Sequence, residues 1–426
     1  MNILVVGGGG REHAVIKALK KNPKTEKIYA LPGNGGIALE EGVECYPVKA
    51  TDLDGIAEFA AAHKVDFAAI TQDDPLVLGC VDRLEAIGIP CFGPNKDAAI
   101  IEGSKVFSKN LMEKYNIPTA KSRTFTDAEE AVHYLKTAEY PTVIKADGLA
   151  AGKGAVIVND FEEAQKTVSE MMIDKVFGAS GSRILVEEFL TGPEVSVLSF
   201  TDGKTIVPMV GSMDHKRAHD GDEGLNTGGM GTVAPNPYYT EEVAKECMEK
   251  IFLPTVNAMN SEGRTFKGCI FFGLMLTKNG PKVIEYNCRF GDPETQVVLP
   301  LLETDLLEIM LAVREGRLKE EMVRFRKGAA CCVIVASEGY PAHYQTGFEI
   351  TLPKAHEGEY LYIAGAKKEG GKLVTSGGRV LGASAVGATL KDAVKNAYAL
   401  AEQVHFENAY MRKDIGKRAL DCLKNK

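Results

Sequence analysis

No apolar run in this 426-residue sequence approaches the roughly twenty residues that a membrane-spanning helix needs, so no such span is expected. Basic residues are not in excess either. Fifty Lys and Arg stand against 58 Asp and Glu, a formal charge of −8, which gives nucleic acid or an anionic membrane no general electrostatic hold. The nine cysteines include no C-x-x-C pair, and Cys331 and Cys332 are adjacent, so neither a zinc site nor a disulfide framework is indicated. Free thiols in a reducing cytoplasm are the expectation. Met1-Asn2-Ile3-Leu4-Val5-Val6 runs straight into glycines without a basic segment or cleavage site, so no signal peptide is expected. What is present is an ordinary globular composition, 45% apolar and 25% charged, long enough for roughly two to four domains.

Residues 1–100 alternate strand and helix. Apolar runs at 2–6, 27–30 and 67–71 read as buried strands, with helices over 11–21, 53–63 and through 81–87, and with 90–93 closing the unit. This is the rhythm of a doubly wound, Rossmann-like parallel sheet, whose ligands collect at the strand C-termini. Gly7-Gly8-Gly9-Gly10 sits where a dinucleotide fingerprint would sit, but that pattern needs glycine at position 12, which is Glu12. No acid ends the second strand, where Leu31-Pro32-Gly33-Asn34-Gly35-Gly36 lies instead. A nicotinamide-dependent oxidoreductase is disfavoured on both counts. The turn still offers backbone N–H groups to a phosphate at a helix N-terminus.

Helices over 106–115 and 127–137 lead to the strand Thr142-Val143-Ile144-Lys145-Ala146, then to Gly148-Leu149-Ala150-Ala151-Gly152-Lys153-Gly154, then to a strand at 155–158. A Walker loop is excluded: the glycine spacing is one residue short, Gly154 replaces Ser or Thr, and a strand follows where a helix is required. A hairpin whose glycine tip folds over a triphosphate is the alternative, with Lys145 as a fixed cation near its base. A lysine ending an apolar strand costs desolvation unless it meets an anion. A strand over 183–190 ends in Glu187-Glu188-Phe189-Leu190, followed by Glu194 and a hairpin, 195–200 with 205–210, around Asp202-Gly203. Residues 213–231 carry Asp214-His215-Lys216-Arg217 and Asn226-Thr227-Gly228-Gly229-Met230-Gly231. They are too polar for core and too long for an idle connection, and read as a functional loop.

Lys282-Val283-Ile284-Glu285-Tyr286-Asn287-Cys288-Arg289 alternates apolar and polar after the turn signal Asn279-Gly280, so it reads as a strand, paired with 268–277. Side chains two apart share a face. Glu285, Asn287 and, if the strand holds, Arg289 then point one way, a set suited to a Mg²⁺-bound polyphosphate beside an anionic group. On its own the pattern is equally a solvated polar face. Beyond it a helix over 295–314 is expected, capped by Asp292 with Pro293 and Glu294 in its first turn. An earlier helix, 241–262, is expected to break at Pro254. Strands at 330–336, 360–364, 373–376 and 379–385 with a helix at 390–402 make a closing α+β unit, in which Gly377-Gly378-Arg379 reads as a hairpin turn.

Lys145, the segment 148–154, Glu187 to Leu190, Glu194 and the Glu285/Asn287 pair together resemble the ATP-grasp superfamily. Gly7 to Gly10 followed by Arg11-Glu12-His13-Ala14, the segments 214–217 and 226–231, and Asn287-Cys288-Arg289-Phe290-Gly291-Asp292-Pro293-Glu294 narrow the resemblance to the glycinamide ribonucleotide synthetase (phosphoribosylamine–glycine ligase) family of purine biosynthesis. It spans the chain, with four separated motifs in order. The resemblance implies an α/β and α+β multidomain architecture: a Rossmann-like substrate domain at 1–103, a central ATP-grasp domain at 104–121 and 191–326, a lid subdomain at 122–190, and a C-terminal α+β domain at 327–426. It implies an enzyme that joins glycine to phosphoribosylamine through glycyl phosphate, using ATP with Mg²⁺ or Mn²⁺. A cytoplasmic monomer without nucleic-acid or membrane partners is expected, with one ligase unit rather than the fused multifunctional form.

The resemblance also implies residue roles. Lys105 and Lys145 neutralise the ATP phosphates, with Gly152, Lys153 and Gly154 over them. The bend Glu187, Glu188, Phe189, Leu190 receives adenine, and Glu194 the ribose. Glu285 and Asn287 hold the metal. Arg289 takes the carboxylate of glycine and Asp214 its ammonium, while the backbone around Gly229 stabilises the tetrahedral oxyanion. Gly9, Gly10, Arg11, Gly33 and Asn34 hold the sugar phosphate, and Lys216, Thr227, Gly228, Met230, Asp292 and Glu294 complete the substrate contacts. One departure stands out: Thr71-Gln72-Asp73-Asp74-Pro75 replaces the family's usual Gly-Pro-Glu, leaving Asp73 as a shorter acid. Against another ATP-grasp ligase or a carboxylating relative stand the segments 214–217 and 227–231. Against a non-catalytic nucleotide-binding regulator stand both phosphate lysines and both metal ligands.

Overall fold

The strand Asn2–Gly7, buried over five of its six residues, lies at the centre of a five-stranded parallel sheet ordered Val43–Cys45, Lys27–Pro32, Asn2–Gly7, Phe67–Ile70, Cys91–Phe92. Strands buried on both faces need continuous apolar runs, which is what 2–6 and 67–70 supply. This computed structural model describes residues 1–150 and 154–425, so the expectations for Gly152 and Lys153 lie outside the described residues. The glycine turn after Asn2–Gly7 leads into the helix Gly10–Leu19, where the Glu12 carboxylate turns back to accept the Gly9 N–H at 2.7 Å. The helix Lys96–Gly103 has no counterpart in the sequence reading, although Asn95 caps it by accepting from Ala98 N at 3.0 Å.

Four antiparallel strands form the next sheet, in the order Ser122–Phe125, Ile184–Glu188, Thr142–Ala146, Ala155–Val158. They enclose a small apolar cluster of their own, with Phe125, Leu135, Ile144 and Ile184 at its centre. A second antiparallel sheet runs Ile206–Pro208, Glu194–Thr201, Gly268–Thr277, Gly280–Asn287. The segment 213–231 is anchored at both ends in a third sheet. Asp214 pairs with Thr232, and Gly231 pairs with Val333 of the strand Ala329–Ser337. That sheet continues through Arg379–Gly387 to Glu359–Ile363. The functional segment is thus built into the C-terminal sheet, and carries the short hairpin Arg217–His219 with Glu223–Asn226 in its middle.

Several elements differ from expectation. The single helix over 295–314 is three pieces, Thr295–Val298, a 3₁₀ turn Leu299–Leu301 and Leu306–Glu315. Pro300 cannot continue the helical ladder, and Asp305 caps a fresh helix by accepting from Glu308 N at 3.1 Å. Asp292 is not the cap: Glu294 occupies that position, and the Asp292 carboxylate accepts from the Gln296 side chain at 2.7 Å instead. Pro293 therefore precedes the helix rather than lying in its first turn. At Pro254 the helix does not break. It widens into a π segment, Met248–Phe252, which absorbs the missing N–H before Leu253–Ser261 continues. The strand Gly280–Asn287 stops short of Arg289, with a bulge opposite Gly273 and Leu274.

Candidate active site

Glu285 and Asn287, two apart near the end of Gly280–Asn287, are both half-buried and share one face of that strand. Three cations bracket this end. The Lys216 ammonium is 3.6 Å from Glu285 Oε1 and 3.7 Å from Glu194 Oε2. Lys145 donates to the carbonyl of Ile284 at 3.1 Å. Arg289, just beyond the strand, places one terminal nitrogen 3.0 Å from Glu102 and 3.8 Å from Asp73. Its Nε is buried without a hydrogen-bond partner, an unmet donor of the kind that an anionic ligand satisfies.

The residues expected to face the nucleotide come together around Glu187. Its carboxylate, almost fully buried, sits 2.8 Å from the Lys145 ammonium and 3.1 Å from that of Lys109. Burial alone would raise its pKa, but the two ammonium groups outweigh this and hold it below the usual carboxylate value. Lys145 has three donors, and Glu187 and Ile284 O take two of them, so one remains for a phosphate. Lys105 opens the helix Lys105–Lys114, and its ammonium reaches Gly148 O at 2.7 Å. Burial lowers its pKa against the opposing pull of Glu285. Asp147 locks this junction: it accepts from Ser104 Oγ, from Val106 N at 2.7 Å and from Arg183 Nε at 2.9 Å. Glu188 is tied to Lys282 at 2.9 Å and to Lys121 N, and Phe189 is among the exposed large apolar residues. An exposed aromatic at a bend is available to a flat apolar ring.

Around Lys216, acids outnumber bases. Asp214 and Glu294 lie close enough to repel, and burial with this mutual repulsion holds the pKa of Asp214 well above its ordinary value. Burial raises that of Glu294, whose Oε1 accepts from Ser196 at 3.1 Å. Lys216 pays a burial penalty too, but Glu285, Glu194, Asp214 and Glu294 together raise its pKa. Four carboxylates around one ammonium make a basin suited to further positive charge, such as a metal ion and a substrate ammonium. Among the described residues no group of three or more His, Cys, Asp or Glu could hold a metal alone. Glu285 and Asn287 fit a Mg²⁺ that takes its remaining ligands from phosphate and water.

Gly229, at φ +117°, passes so close to its neighbours that a Cβ would stand 2.5 Å from Pro293 Cδ and 2.7 Å from Asp214 Oδ1. Thr227 accepts the Gly229 N–H at 3.0 Å and donates to Lys216 O, while Met230 is fully buried with its N–H on His215 O. The Met230 side chain therefore packs in the core. Gly8, Gly33 and Asn34 line an open cavity of about 410 Å³ together with Lys367, Lys368 and Ser376. Asn34 spans it by donating to Gly8 O and Ile363 O at 2.9 and 2.8 Å. Gly9, Gly10 and Arg11 are not in that lining. Arg11 is buried, bound to Glu12 at 2.6 Å and to Phe290 O at 3.1 Å, which ties the glycine turn to the Arg289 segment.

Three residues of the site escaped the sequence reading. Lys109 and Glu102 lie on helix faces with no local motif. Arg379, read as part of a hairpin turn, reaches across to donate to Gly228 O and Asp292 O at 2.9 Å each, and pairs with the Asp292 carboxylate at 3.4 Å. Asp292 is partly buried, and Arg379 is the first of the cations that hold its pKa below the usual value against burial. Glu12, quoted in the motif 11–14 without a role, accepts the Gly9 N–H and so closes the glycine turn.

Comparison with known proteins matches these elements in order. Sequence profiles of phosphoribosylglycinamide synthetase cover the chain as its N domain at 1–102, its ATP-grasp (A) domain at 103–295 and its C domain at 330–418. The phosphoribosylamine–glycine ligase of Caldanaerobacter subterraneus subsp. tengcongensis is 48% identical over 415 residues, 97% of this chain and 99% of that one. The enzyme of the same name from Pasteurella multocida is 45% identical over the whole of both chains. The crystal structure of phosphoribosylamine–glycine ligase from Thermotoga maritima superposes with a TM-score of 0.85 at 34% identity, covering 97% of this chain and 100% of that one. A biotin carboxylase from Campylobacter jejuni shares the fold at a TM-score of 0.77 and 15% identity, over 96% of this chain and 92% of its own. With an ATP-grasp core whose polar strand, glycine turn and C-terminal sheet meet at one cleft, the chain belongs to the phosphoribosylglycinamide synthetase family.

Proposed function

We propose that this chain is an ATP-dependent ligase that joins glycine to 5-phosphoribosylamine, giving glycinamide ribonucleotide, ADP and phosphate, in purine biosynthesis. The observation that carries this reading is the near-complete mutual coverage with relatives named phosphoribosylamine–glycine ligase, at 44–48% identity. What the cleft contributes is the chemistry that such a reaction needs.

Lys145 and Lys105 face the phosphates of ATP from the base of the hairpin. Phe189 and Leu190 lie against the adenine, and Glu194 beside the ribose. Glu285 and Asn287 hold a divalent ion, Mg²⁺ or Mn²⁺, which when bound neutralises charge on the phosphates. Arg289 receives the glycine carboxylate on its unmet Nε, and Asp214 with Glu294 receives the ammonium. The glycine carboxylate oxygen takes the γ-phosphoryl group, and the amine of phosphoribosylamine then attacks the acyl carbon and expels phosphate. The residues act by positioning and by stabilising charge. The oxyanion role expected of the backbone at 228–231 is not carried into this reading, because the N–H groups of Gly228, Gly229 and Met230 are already bound to Tyr340 Oη, Thr227 Oγ1 and His215 O. The cavity lined by Gly8, Gly33 and Asn34 accommodates the sugar phosphate. The segments 1–103, 104–121 with 191–326, 122–190 and 327–426 serve as substrate, central, lid and closing units of a cytoplasmic monomer. Among the described residues no helix is long and apolar enough to cross a membrane.

The test is phosphate release from ATP with Mg²⁺ and glycine, with and without freshly generated phosphoribosylamine. Release that needs both substrates and yields glycinamide ribonucleotide supports the reading. ATP binding with no such product sinks the glycine assignment.

A further inference from the structure

Glu102 is the last acidic residue of the helix Lys96–Gly103 and is 6% exposed. Its two oxygens hold three consecutive residues of the polar strand's end. Oε1 accepts from Asn287 Nδ2 at 2.8 Å and faces the Arg289 guanidinium at 3.0 Å, while Oε2 accepts from Cys288 N at 2.7 Å. Two residues further on, Ser104 caps the helix that begins with Lys105. An asparagine amide has one oxygen and one nitrogen, and a cation accepts only the oxygen. Committing Nδ2 to a carboxylate therefore decides which way the amide turns.

We propose that Glu102 is a positioning residue that fixes the Asn287 amide with its oxygen toward the divalent ion and holds Arg289 beside it. This rests on the assignment of Asn287 as a metal ligand under the proposed function. A carboxylate is required because it accepts from all three donors and donates to none. A glutamine at 102 keeps the size but puts an NH₂ group among those donors. Its amide either loses one of the three bonds or faces Asn287 nitrogen to nitrogen, which turns the Asn287 amide over.

The experiment compares parent, Glu102→Gln, Asn287→Asp and the double variant, full-length and folded by thermal denaturation. Two readouts are taken: Mn²⁺ affinity in the presence of ADP by electron paramagnetic resonance, and the Mg²⁺ concentration giving half-maximal ligase rate. Glu102→Gln is expected to weaken Mn²⁺ at least tenfold and raise the Mg²⁺ requirement equally, with the KM for phosphoribosylamine moving less than threefold. Asn287→Asp sets two carboxylates against each other. The double variant restores a donor–acceptor pair with ligand oxygens facing the ion, so it should bind Mn²⁺ better than either single variant. If Glu102→Gln does not fold, the comparison of Asn287→Asp with the double variant decides alone. Metal affinity within twofold of the parent in Glu102→Gln, or a double variant no better than Asn287→Asp, overturns the proposal. A parent that binds Mn²⁺–ADP but makes no glycinamide ribonucleotide overturns the ligase reading instead and leaves the metal comparison intact.

Discussion

His215 lies between Asp214 and Lys216, and its ring is 1% exposed. Nδ1 is 2.9 Å from Gly231 O, and Nε2 is 3.1 Å from Gly416 N. A backbone N–H can only donate, so Nε2 must accept, and the fold selects the neutral tautomer protonated at Nδ1. Protonating Nε2 would lose the Gly416 bond and set two donors face to face. Burial is the largest cause of a pKa lowered from 6.5 to about 4. Below pH 6.5 the unfolded chain takes up a proton that the folded chain refuses until about pH 4. Stability therefore falls across that window and levels off beneath it. Linkage puts the loss at about 2 kcal/mol between pH 7.5 and 5. His215→Leu fills a similar volume and cannot titrate. At pH 7.5 it should be less stable than the parent by about 3 kcal/mol, from the buried Gly416 N–H left without an acceptor and the lost side-chain bond to Gly231 O, which keeps its bond from the backbone N–H of residue 215. At pH 5 that gap should shrink to about 1 kcal/mol by the same linkage. Urea unfolding of both proteins across this range measures the difference directly, and the other titrating groups cancel. A gap that stays constant from pH 7.5 to 5 would refute the neutral, doubly bonded imidazole.

Arg289→Lys keeps the charge but loses the planar fork, and should lower kcat/KM for glycine by about 100-fold while the ATP affinity stays within about threefold, as read by phosphate release and by nucleotide titration. Gly229→Ala combines a left-handed backbone with a Cβ 2.5 Å from Pro293 Cδ, so a stability loss of about 2–4 kcal/mol with collapse of ligase activity is expected; parental activity at the parental melting temperature would contradict it. Lys145→Met strands Glu187 with Lys109 alone and should cost about 3 kcal/mol. The double variant Lys145→Met with Glu187→Met should regain part of that stability without regaining ATP binding, which calorimetry with and without nucleotide separates. Arg379→Met frees the carbonyls of Gly228 and Asp292 and should raise the KM for phosphoribosylamine more than that for ATP; equal effects on both would remove Arg379 from the substrate side.

What the sequence by itself determined is what short-range geometry dictates. Alternation along 282–287 put Glu285 and Asn287 on one face whatever surrounded them, because strand side chains repeat every two residues. The apolar runs at 2–6 and 67–70 required a doubly covered parallel sheet, and glycines after the first strand required a tight turn into a helix. Motif order along the chain carried the family resemblance. Tertiary structure alone decided which partners those residues meet. Glu102 reaches Asn287 across 185 positions, and Arg379 reaches Gly228 across 151. Glu187 became the shared counter-ion of Lys109 and Lys145 only when a strand and a helix packed together. The helix expected over 295–314 failed on Pro300, and its expected cap Asp292 instead accepts from the Gln296 side chain and pairs with Arg379. Local pattern fixes where a side chain points, since that depends on a few bonds. What it touches depends on loop closures whose outcome is set by the burial of the whole core.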